Sequence, residues 1–173
     1  MTFDPYQSHE KIDIKSIVDD LMSPHLSVRH EANIKLTAIG KSAIPHLLPL
    51  LKFSPSKDTR KEVVKILGKI NDPESIESLV SVLNDDNFEV RWDAAESLIH
   101  IGSASLSPLL KYLEKHFQYI SVRRGARHIL RALRGNDNLD DPLEKLFHAL
   151  DGSGPIEQIP WLAKESYDHL QKK

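Results

Sequence analysis

The chain has 173 residues, a formal net charge of −2 and a sequence pI near 6.5. This nearly neutral balance argues against binding to polyanions through bulk charge. The absence of cysteine excludes disulfides, zinc sites built from thiolates and thiol nucleophiles.

Apolar residues recur at helical spacing along most of the chain, and no segment alternates apolar and polar residues long enough to predict a strand. The predicted helices, in chain order, are residues 14–22, 27–39, 44–52, 57–70, 73–84, 88–101, 105–115, 121–134, 141–150 and 159–171. Residues before about position 10 and after position 170 are predicted to fray.

Residues that end and begin helices lie between these segments. Gly40 and Gly102 each follow the last apolar residue of a predicted helix, where a residue with positive φ is favoured. The run 71–73 (Asn-Asp-Pro) takes the same place in the second unit, with its proline in the first turn of the next helix. Asp86 and Glu89 are predicted to form a capping box at the start of the helix that follows.

Every second helix carries the same residue types at the same register. An arginine recurs at intervals of 31, 31 and 32 residues, at Arg29, Arg60, Arg91 and Arg123. Alanine or valine follows three positions later, leucine seven positions later, and isoleucine or leucine ten positions later, so these residues share one helix face. The chain is therefore predicted to be all-α, an α-α superhelix of about five helix-pair repeats in one domain, residues 1–173. The repeats are about 14–40, 44–71, 73–102, 105–134 and a degenerate cap, 139–171.

The cap departs from the pattern. A break at residues 152–155 (Gly-Ser-Gly-Pro) separates its helices, and Pro160 stands where the arginine is expected. With Pro160 in that role, Ala163, Tyr167 and Leu170 repeat the apolar face, and Trp161 is predicted to be buried beside the proline. A longer and looser unit is typical of the end of a repeat array.

The third unit gives a resemblance to a known family. Residues 86–91 (Asp-Asn-Phe-Glu-Val-Arg), followed by 94–95 (Ala-Ala), Leu98 and 101–102 (Ile-Gly), resemble HEAT repeats, in particular the short bacterial HEAT-like repeats of the phycobilisome-lyase type. The resemblance extends over residues 14–134. It implies the solenoid fold but no single activity, because such repeats serve scaffolds, lyases, hydroxylases and DNA glycosylases alike.

The recurring arginines are interpreted as structural. We expect them to link adjacent loops through hydrogen bonds and through carboxylates such as Asp58 or Glu89.

In HEAT arrays the second helices line the concave face. Offsets of one, five and eight residues after the arginine lie opposite the core face and are predicted to be open. The first of these columns is His30, Lys61, Trp92, Arg124 and Trp161; the second is Ile34, Lys65, Glu96, His128 and Glu165; the third is Thr37, Gly68, Ile99, Arg131 and Asp168. Tryptophan and arginine are enriched at binding hot spots, although Trp92 could instead pack on its own helix or on neighbouring loops.

A basic helix adds a second signal. Five arginines occur within residues 123–134, where their planar guanidinium groups suit carboxylates or phosphates. The alternative is that acids of the next helix, at positions 137, 140, 141 and 144, together with Asp93 and Glu96, neutralise them.

These observations predict a non-catalytic scaffold or adaptor that binds a partner protein, with no cofactor and no metal. The partner is expected to offer an acidic or amphipathic segment; nucleic acid is disfavoured, and the oligomeric state stays open. The predicted partner-binding residues are Lys61, Lys65, Trp92, Glu96, Ile99, Arg124, Arg127, His128 and Arg131. No apolar stretch approaches the ~20 residues of a membrane span, and the first ten residues lack secretory-signal features, so a cytoplasmic location is expected.

Three enzymatic alternatives rest on resemblance. Trp92, Glu96, Arg131 and Trp161 are similar in type to the concave residues of HEAT-like DNA-base glycosylases. A lyase-type subunit acting on a bilin chromophore is a further alternative, since such subunits need no cysteine. The pair at residues 30–31 (His-Glu) resembles one element of the deoxyhypusine hydroxylases. That family repeats the pair to build a two-metal site, whereas the equivalent positions of the other repeats here do not carry it, and the second His-Glu pair, at residues 9–10, lies outside the repeat register.

Overall fold

The computed structural model describes residues 13–134 and 140–172. Predictions that fall on residues 1–12, 135–139 and 173, including the fraying of the amino terminus, lie outside these residues. The described chain forms ten α-helices and no strand, which confirms the predicted all-α fold. The helices are α1 (Ile14–Asp20), α2 (Leu26–Ile39), α3 (Ile44–Phe53), α4 (Lys57–Ile70), α5 (Pro73–Ser81), α6 (Phe88–Ile101), α7 (Leu106–His116), α8 (Ile120–Arg134), α9 (Asp141–Leu150) and α10 (Ile159–Leu170).

The helix ends follow the punctuation in the sequence, with one exception. Asn71 ends α4 in the left-handed conformation (φ 52°), and Gly102 ends α6 at φ 80° and ψ −143°, a region that essentially only glycine adopts. The predicted capping box of Asp86 and Glu89 is wrong. Asn87 caps α6 instead, its Oδ1 accepting from the backbone N–H groups of Glu89 at 2.9 Å and of Val90 at 3.4 Å. An Asx cap needs only its own side chain, which leaves the Glu89 carboxylate available for other contacts.

The helices pack in two rows. The first helices of the pairs (α1, α3, α5, α7) contact one another along one side, and the second helices (α2, α4, α6, α8) contact one another along the other. Between the rows lies one continuous core, in which the leucines seven residues after the recurring arginine are fully buried. These are Leu36, Leu67, Leu98 and Leu130. Each fully buried leucine contributes about 1.5–3 kcal/mol relative to an exposed one, so stacking of the pairs holds the array together.

The fifth pair is reversed relative to the other four. Its first helix, α9, packs against α8 of the second row, and its second helix, α10, packs against α7 of the first row. On one side, the guanidinium groups of Arg127 and Arg134 of α8 form cation–π contacts with the Phe147 ring of α9. On the other, Gln171 Nε2 donates to Ser107 Oγ at 3.2 Å. The second row therefore continues into α9 rather than α10.

This reversal corrects two sequence predictions. Trp161, Glu165 and Asp168 do not continue the columns of the second row, because α10 belongs to the first row. Trp161 is also not buried, since 62% of its surface is exposed. The buried face of α10 is formed by Ile159, Leu162, Ala163 and Ser166. The Trp161 side chain lies outside this face, so Pro160 does not force it into the core.

Candidate partner-binding groove

The four recurring arginines share one geometry. In each, Nη1 donates to the backbone carbonyl six residues upstream, in the loop that joins the two helices of a pair. The distances are 2.8 Å for Arg29 to Ser23, 2.9 Å for Arg60 to Ser54, 2.7 Å for Arg91 to Asp85, and 2.7 Å for Arg123 to Phe117. Each arginine therefore closes its own loop, because a guanidinium donor satisfies a carbonyl that the helix end leaves free.

Arg60 also joins two repeats through carboxylates, although not those that the sequence suggested. Its Nε and Nη2 donate to the two carboxylate oxygens of Asp85 at 2.8 and 2.9 Å, and Nη2 also reaches Asp86 at 2.7 Å. Burial by itself would raise the pKa of Asp85, but hydrogen bonds from Arg60 and from the Asn87 N–H outweigh it and lower that pKa. The pair ties the start of α4, in the second repeat, to the loop of the third.

A groove opens between α6 and α8 in the second row. Its volume is about 190 Å³, and its walls include three exposed apolar side chains, Phe88 (64% exposed), Trp92 (46%) and Ile120 (55%). The remaining lining residues are Leu83, Arg91, Ala95, Ser121, Arg124, Gly125 and His128. A solvated helix face does not require large apolar groups, so their concentration in one cleft makes this groove the candidate binding surface.

The repeat register explains why these side chains meet. Trp92 and Arg124 occupy the same position on α6 and α8, one residue after the recurring arginine, and Phe88 and Ile120 occupy the position three residues before it. These positions are one helical turn apart on the same face. The sequence columns began one turn too late and so missed Phe88 and Ile120. Extending each column toward the amino end of its helix would have included both residues.

Trp92 has neighbours and is nevertheless accessible. Its ring stacks on His128 of α8 with centroids 4.8 Å apart and lies 6.1 Å from the Phe88 ring. His128 Nε2 is 2.8 Å from Glu96 Oε1, so a short chain of contacts links α6 to α8 across the groove. Of the predicted site residues, Trp92, Glu96, Arg124 and His128 thus lie together at this groove. Ile99 is half-buried on α6 two turns beyond Trp92.

The basic helix α8 divides into two sides. Arg127 forms an ion pair with Asp151, at the end of α9, and Arg134 pairs with Glu144 of α9 at 3.1 Å. Arg127 was predicted to bind a partner, but it belongs to the contact between α8 and α9, since α9 supplies its carboxylate. On the other side, no carboxylate of residues 13–134 or 140–172 forms an ion pair with Arg124 or Arg131, and both side chains are exposed.

The two predicted lysines lie on α4, outside the lining of the groove, and are already paired. Lys61 Nζ is 2.7 Å from Glu89 Oε2, and Lys57 reaches Glu89 Oε1 at 2.6 Å. Hydrogen bonds from Lys57 and Lys61 lower the pKa of Glu89 to about 2. Lys65 is 3.3 Å from Glu62 on the same helix. These lysines therefore link α4 to α6 or compensate acids of α4.

We compared the positions of the described residues with what a glycosylase-like site or a metal site would require. Trp161 lies on α10 in the first row, so it does not join Trp92, Glu96 and Arg131 as a glycosylase-like site would require. Across residues 13–134 and 140–172, no three or more His, Asp or Glu side chains cluster in a way that could hold a metal ion. Nor does any helix there combine the length and apolarity that crossing a bilayer requires.

These features define a class of protein, an α-solenoid of helix pairs with an apolar groove in its second row. A family model described as HEAT repeats matches residues 15–99 and, overlapping with them, 44–134. The chain belongs to the HEAT-repeat family.

One similar solved structure is that of the complex of CpcE and CpcF of phycocyanin lyase from Nostoc sp. PCC7120. A chain of that complex is 21% identical, with a TM-score of 0.54, and the match covers 87% of this chain and 97% of that chain. At this identity the likeness shows the fold alone. No curated protein matches the chain.

Proposed function

We propose that this chain is a non-catalytic protein–protein interaction scaffold, which binds a segment of a partner protein in the groove between α6 and α8. The observation that carries the proposal is the cluster of Phe88, Trp92 and Ile120, all exposed around one cleft. Covering apolar surface stabilises a complex by about 25 cal/mol for each Å² removed from water. A tryptophan at the centre of such a cleft is a typical hot spot.

The way the groove is built favours binding with little rearrangement. The Leu98 and Leu130 side chains that anchor α6 and α8 are fully buried, and Arg91 and Arg123 hold the loops that precede these helices. A partner segment would meet two helices already in place, so less ordering entropy opposes association.

Site-specific photocrosslinking in the native cell tests the proposal. A benzoyl-phenylalanine placed at Phe88 retains an aromatic ring in the groove, and the same substitution at Phe53 serves as the matched control. Phe53 is an aromatic residue of α3, in the first row, whose exposure of 72% is close to the 64% of Phe88. We expect a discrete protein adduct from position 88, greatly reduced by Trp92→Ala, and no such adduct from position 53. The proposal is wrong if both positions give the same adducts, or if Trp92→Ala leaves the adduct at position 88 unchanged.

A second candidate function is a lyase-type subunit that acts on a bilin chromophore, supported by the likeness to a chain of the phycocyanin lyase complex over 87% of this chain. In that case the same groove would hold a conjugated tetrapyrrole, with Trp92 against its rings. Mixing purified protein with biliverdin should then shift the visible absorption band, and Trp92→Ala should abolish the shift. An unchanged spectrum at saturating protein would contradict this second candidate.

A further inference from the structure

The charge around the groove points to the kind of segment it takes. This inference rests on the proposed function and adds the chemistry of the partner. We propose that the groove binds an acidic, helical segment of a partner protein, with one apolar side chain among Phe88, Trp92 and Ile120 and two carboxylates on Arg124 and Arg131.

The two arginines differ from the other cations of the same helix. Arg127 and Arg134 are paired with acids at or in α9, and Arg123 donates to the carbonyls of its own loop. Arg124 lines the groove, and Arg131 follows on the same face of α8 two turns further along. Both are exposed, and no carboxylate of the described residues forms an ion pair with either. A guanidinium group presents a planar fork that matches a carboxylate with two parallel hydrogen bonds. The groove therefore offers two positive charges that the described chain does not compensate.

The spacing of these groups fits a helix better than an irregular loop. Ile120, Arg124, His128 and Arg131 mark successive turns of α8, so Arg124 and Arg131 lie about 10 Å apart along the helix axis. Carboxylates two turns apart on one face of a partner helix have the same separation. The apolar end of the groove lies one turn before Arg124, at Phe88 and Ile120. The matching segment thus carries an apolar residue, an acid one turn away, and a second acid two turns beyond the first.

An acid of the groove itself sharpens this pattern. Glu96 lies at the level of His128, between the levels of Arg124 and Arg131, and its carboxylate oxygen is 2.8 Å from the His128 ring nitrogen. A partner carboxylate at this intermediate level would meet Glu96 and be repelled, whereas a neutral residue would not. The groove therefore selects the placement of the acids and not merely their number.

The same features favour a protein segment over a nucleic acid. The chain has a net charge of −2, and strong binding to nucleic acids depends on several phosphate contacts made together. Two arginines that form no ion pair with a carboxylate of the described residues, beside an apolar cleft, suit a segment that alternates apolar and acidic side chains, because each part of the surface then has a complementary group.

Binding of model peptides tests the proposal directly. A Trp161→Phe background leaves Trp92 as the only tryptophan, so that its fluorescence reports on the groove. The probe is a capped helical peptide of alanine and glutamine carrying one leucine, a glutamate four residues later and a second glutamate seven residues further. A peptide with the reversed order serves equally, because the groove does not fix the direction of the chain. Matched peptides carry glutamine or lysine in place of both glutamates.

We expect one of the two glutamate peptides to bind at least tenfold more tightly than its glutamine counterpart at low salt. Arg124→Glu and Arg131→Glu should each weaken it by tenfold or more, and the lysine peptide should recover binding to the doubly reversed protein. The control is Lys52→Glu with Lys115→Glu, two exposed lysines of the first-row helices α3 and α7. This variant has the same change in net charge, and its affinity for the peptide should be unchanged.

Several results would overturn the proposal. These are equal binding of the glutamate and glutamine peptides, loss of binding in the lysine control, or the absence of rescue by the lysine peptide. Tighter binding of a single-stranded oligonucleotide with the same arginine dependence, or self-association that Trp92→Ala abolishes, would assign the groove to another occupant. If position 88 still crosslinks a partner while the acidic peptides fail, only the chemistry proposed here is wrong. If position 88 crosslinks nothing specific, the proposed function itself fails.

Discussion

Two neighbouring interfaces of the second row use the same repeat positions for different purposes. Between α4 and α6 the contact is close and its charges are paired. A side-chain carbon added at Gly68 would lie 2.7 Å from Ser97, and Lys57 and Lys61 both reach Glu89. Between α6 and α8, in contrast, apolar side chains border an open groove. The same repeat pattern can thus give a tightly packed interface between one pair of helices and an accessible groove between the next pair.

The difference depends on two positions of each repeat. Three residues before and one residue after the recurring arginine, α4 carries lysines, whereas α6 carries Phe88 and Trp92. Lysines can reach an acid of the neighbouring helix while their stems cover apolar surface. The aromatic rings of Phe88 and Trp92, opposite Ile120 and Arg124, cannot form ion pairs with the neighbouring helix, and a cleft is left between them. The core positions are unaffected, so this surface can differ between repeats without a change of fold.

The first test of this comparison removes one polar contact from the α4–α6 interface and one from the α6–α8 interface. Asp85→Ala takes the buried carboxylate from Arg60 and should lower the free energy of unfolding by about 3 kcal/mol, because a buried guanidinium loses its principal partner. Glu96→Ala removes the exposed tie to His128 and should cost less than about 1 kcal/mol. Urea denaturation of both variants measures the difference. Equal losses would show that the two interfaces do not differ in how they are held.

A second test compares the two glycines that allow close approach. Gly68→Ala places a carbon 2.7 Å from the Ser97 Cβ and Oγ atoms and should cost about 1–3 kcal/mol through overpacking. Gly125→Ala meets a terminal methyl carbon of the buried Leu83 side chain at 3.0 Å, so a shift of a few tenths of an ångström relieves the contact. The gain of about 1 kcal/mol in helix propensity should offset that contact and leave its net effect close to zero. Thermal unfolding of the pair checks this, and a Gly125 variant as unstable as the Gly68 variant would contradict it.

A third test separates binding from stability at the open interface. Trp92→Ala should change the free energy of unfolding by less than about 1 kcal/mol, because nearly half of the side chain is already exposed. The same substitution should weaken capture of the partner at the groove by more than about tenfold, roughly 1.4 kcal/mol. Unfolding curves and titration with the crosslinked partner provide the two measurements. A variant that unfolds much more readily but still binds would reverse the assigned role of Trp92.

The sequence predicted the helices well because the buried face repeats at a fixed interval. Leucines such as Leu67 and Leu98 recur at one offset from an arginine, and that regularity places every helix of the first four repeats to within a few residues. The reversed fifth pair was not predictable in the same way. An apolar stripe shows that a helix has a buried face, but it does not show which neighbour covers it.

The sequence predicted only some of the residues that line the groove, because each column of the repeat was followed from the arginine onward. Reading one column of the repeat found Trp92 and Arg124, since both lie opposite the core stripe. Phe88 and Ile120 were missed because the columns stopped at the arginine, although the same face continues one turn earlier. Arg127 was assigned to the groove because it lies at the edge of the helix face. Only the position of α9, which supplies Asp151, shows that its charge is used within the chain.

The smallest expected effect is electrostatic and concerns the closed interface. The pKa of Glu89 is lowered from 4.5 to about 2 by hydrogen bonds from Lys57 and Lys61, so its charged form is favoured in the folded chain. A lowered pKa stabilises the fold at pH values above the unfolded-state pKa, and that contribution is lost as the pH falls through the folded-state value. The window therefore extends from about pH 4.5 down to about pH 2. Because the site is exposed, salt should weaken the effect. Carbon-detected NMR of the Glu89 carboxyl group should give a midpoint near 2 in the unaltered chain, and Lys57→Ala with Lys61→Ala should move it toward 4.5. A midpoint that stays near 2 in the double variant would show that the two lysines are not the cause of the lowered pKa.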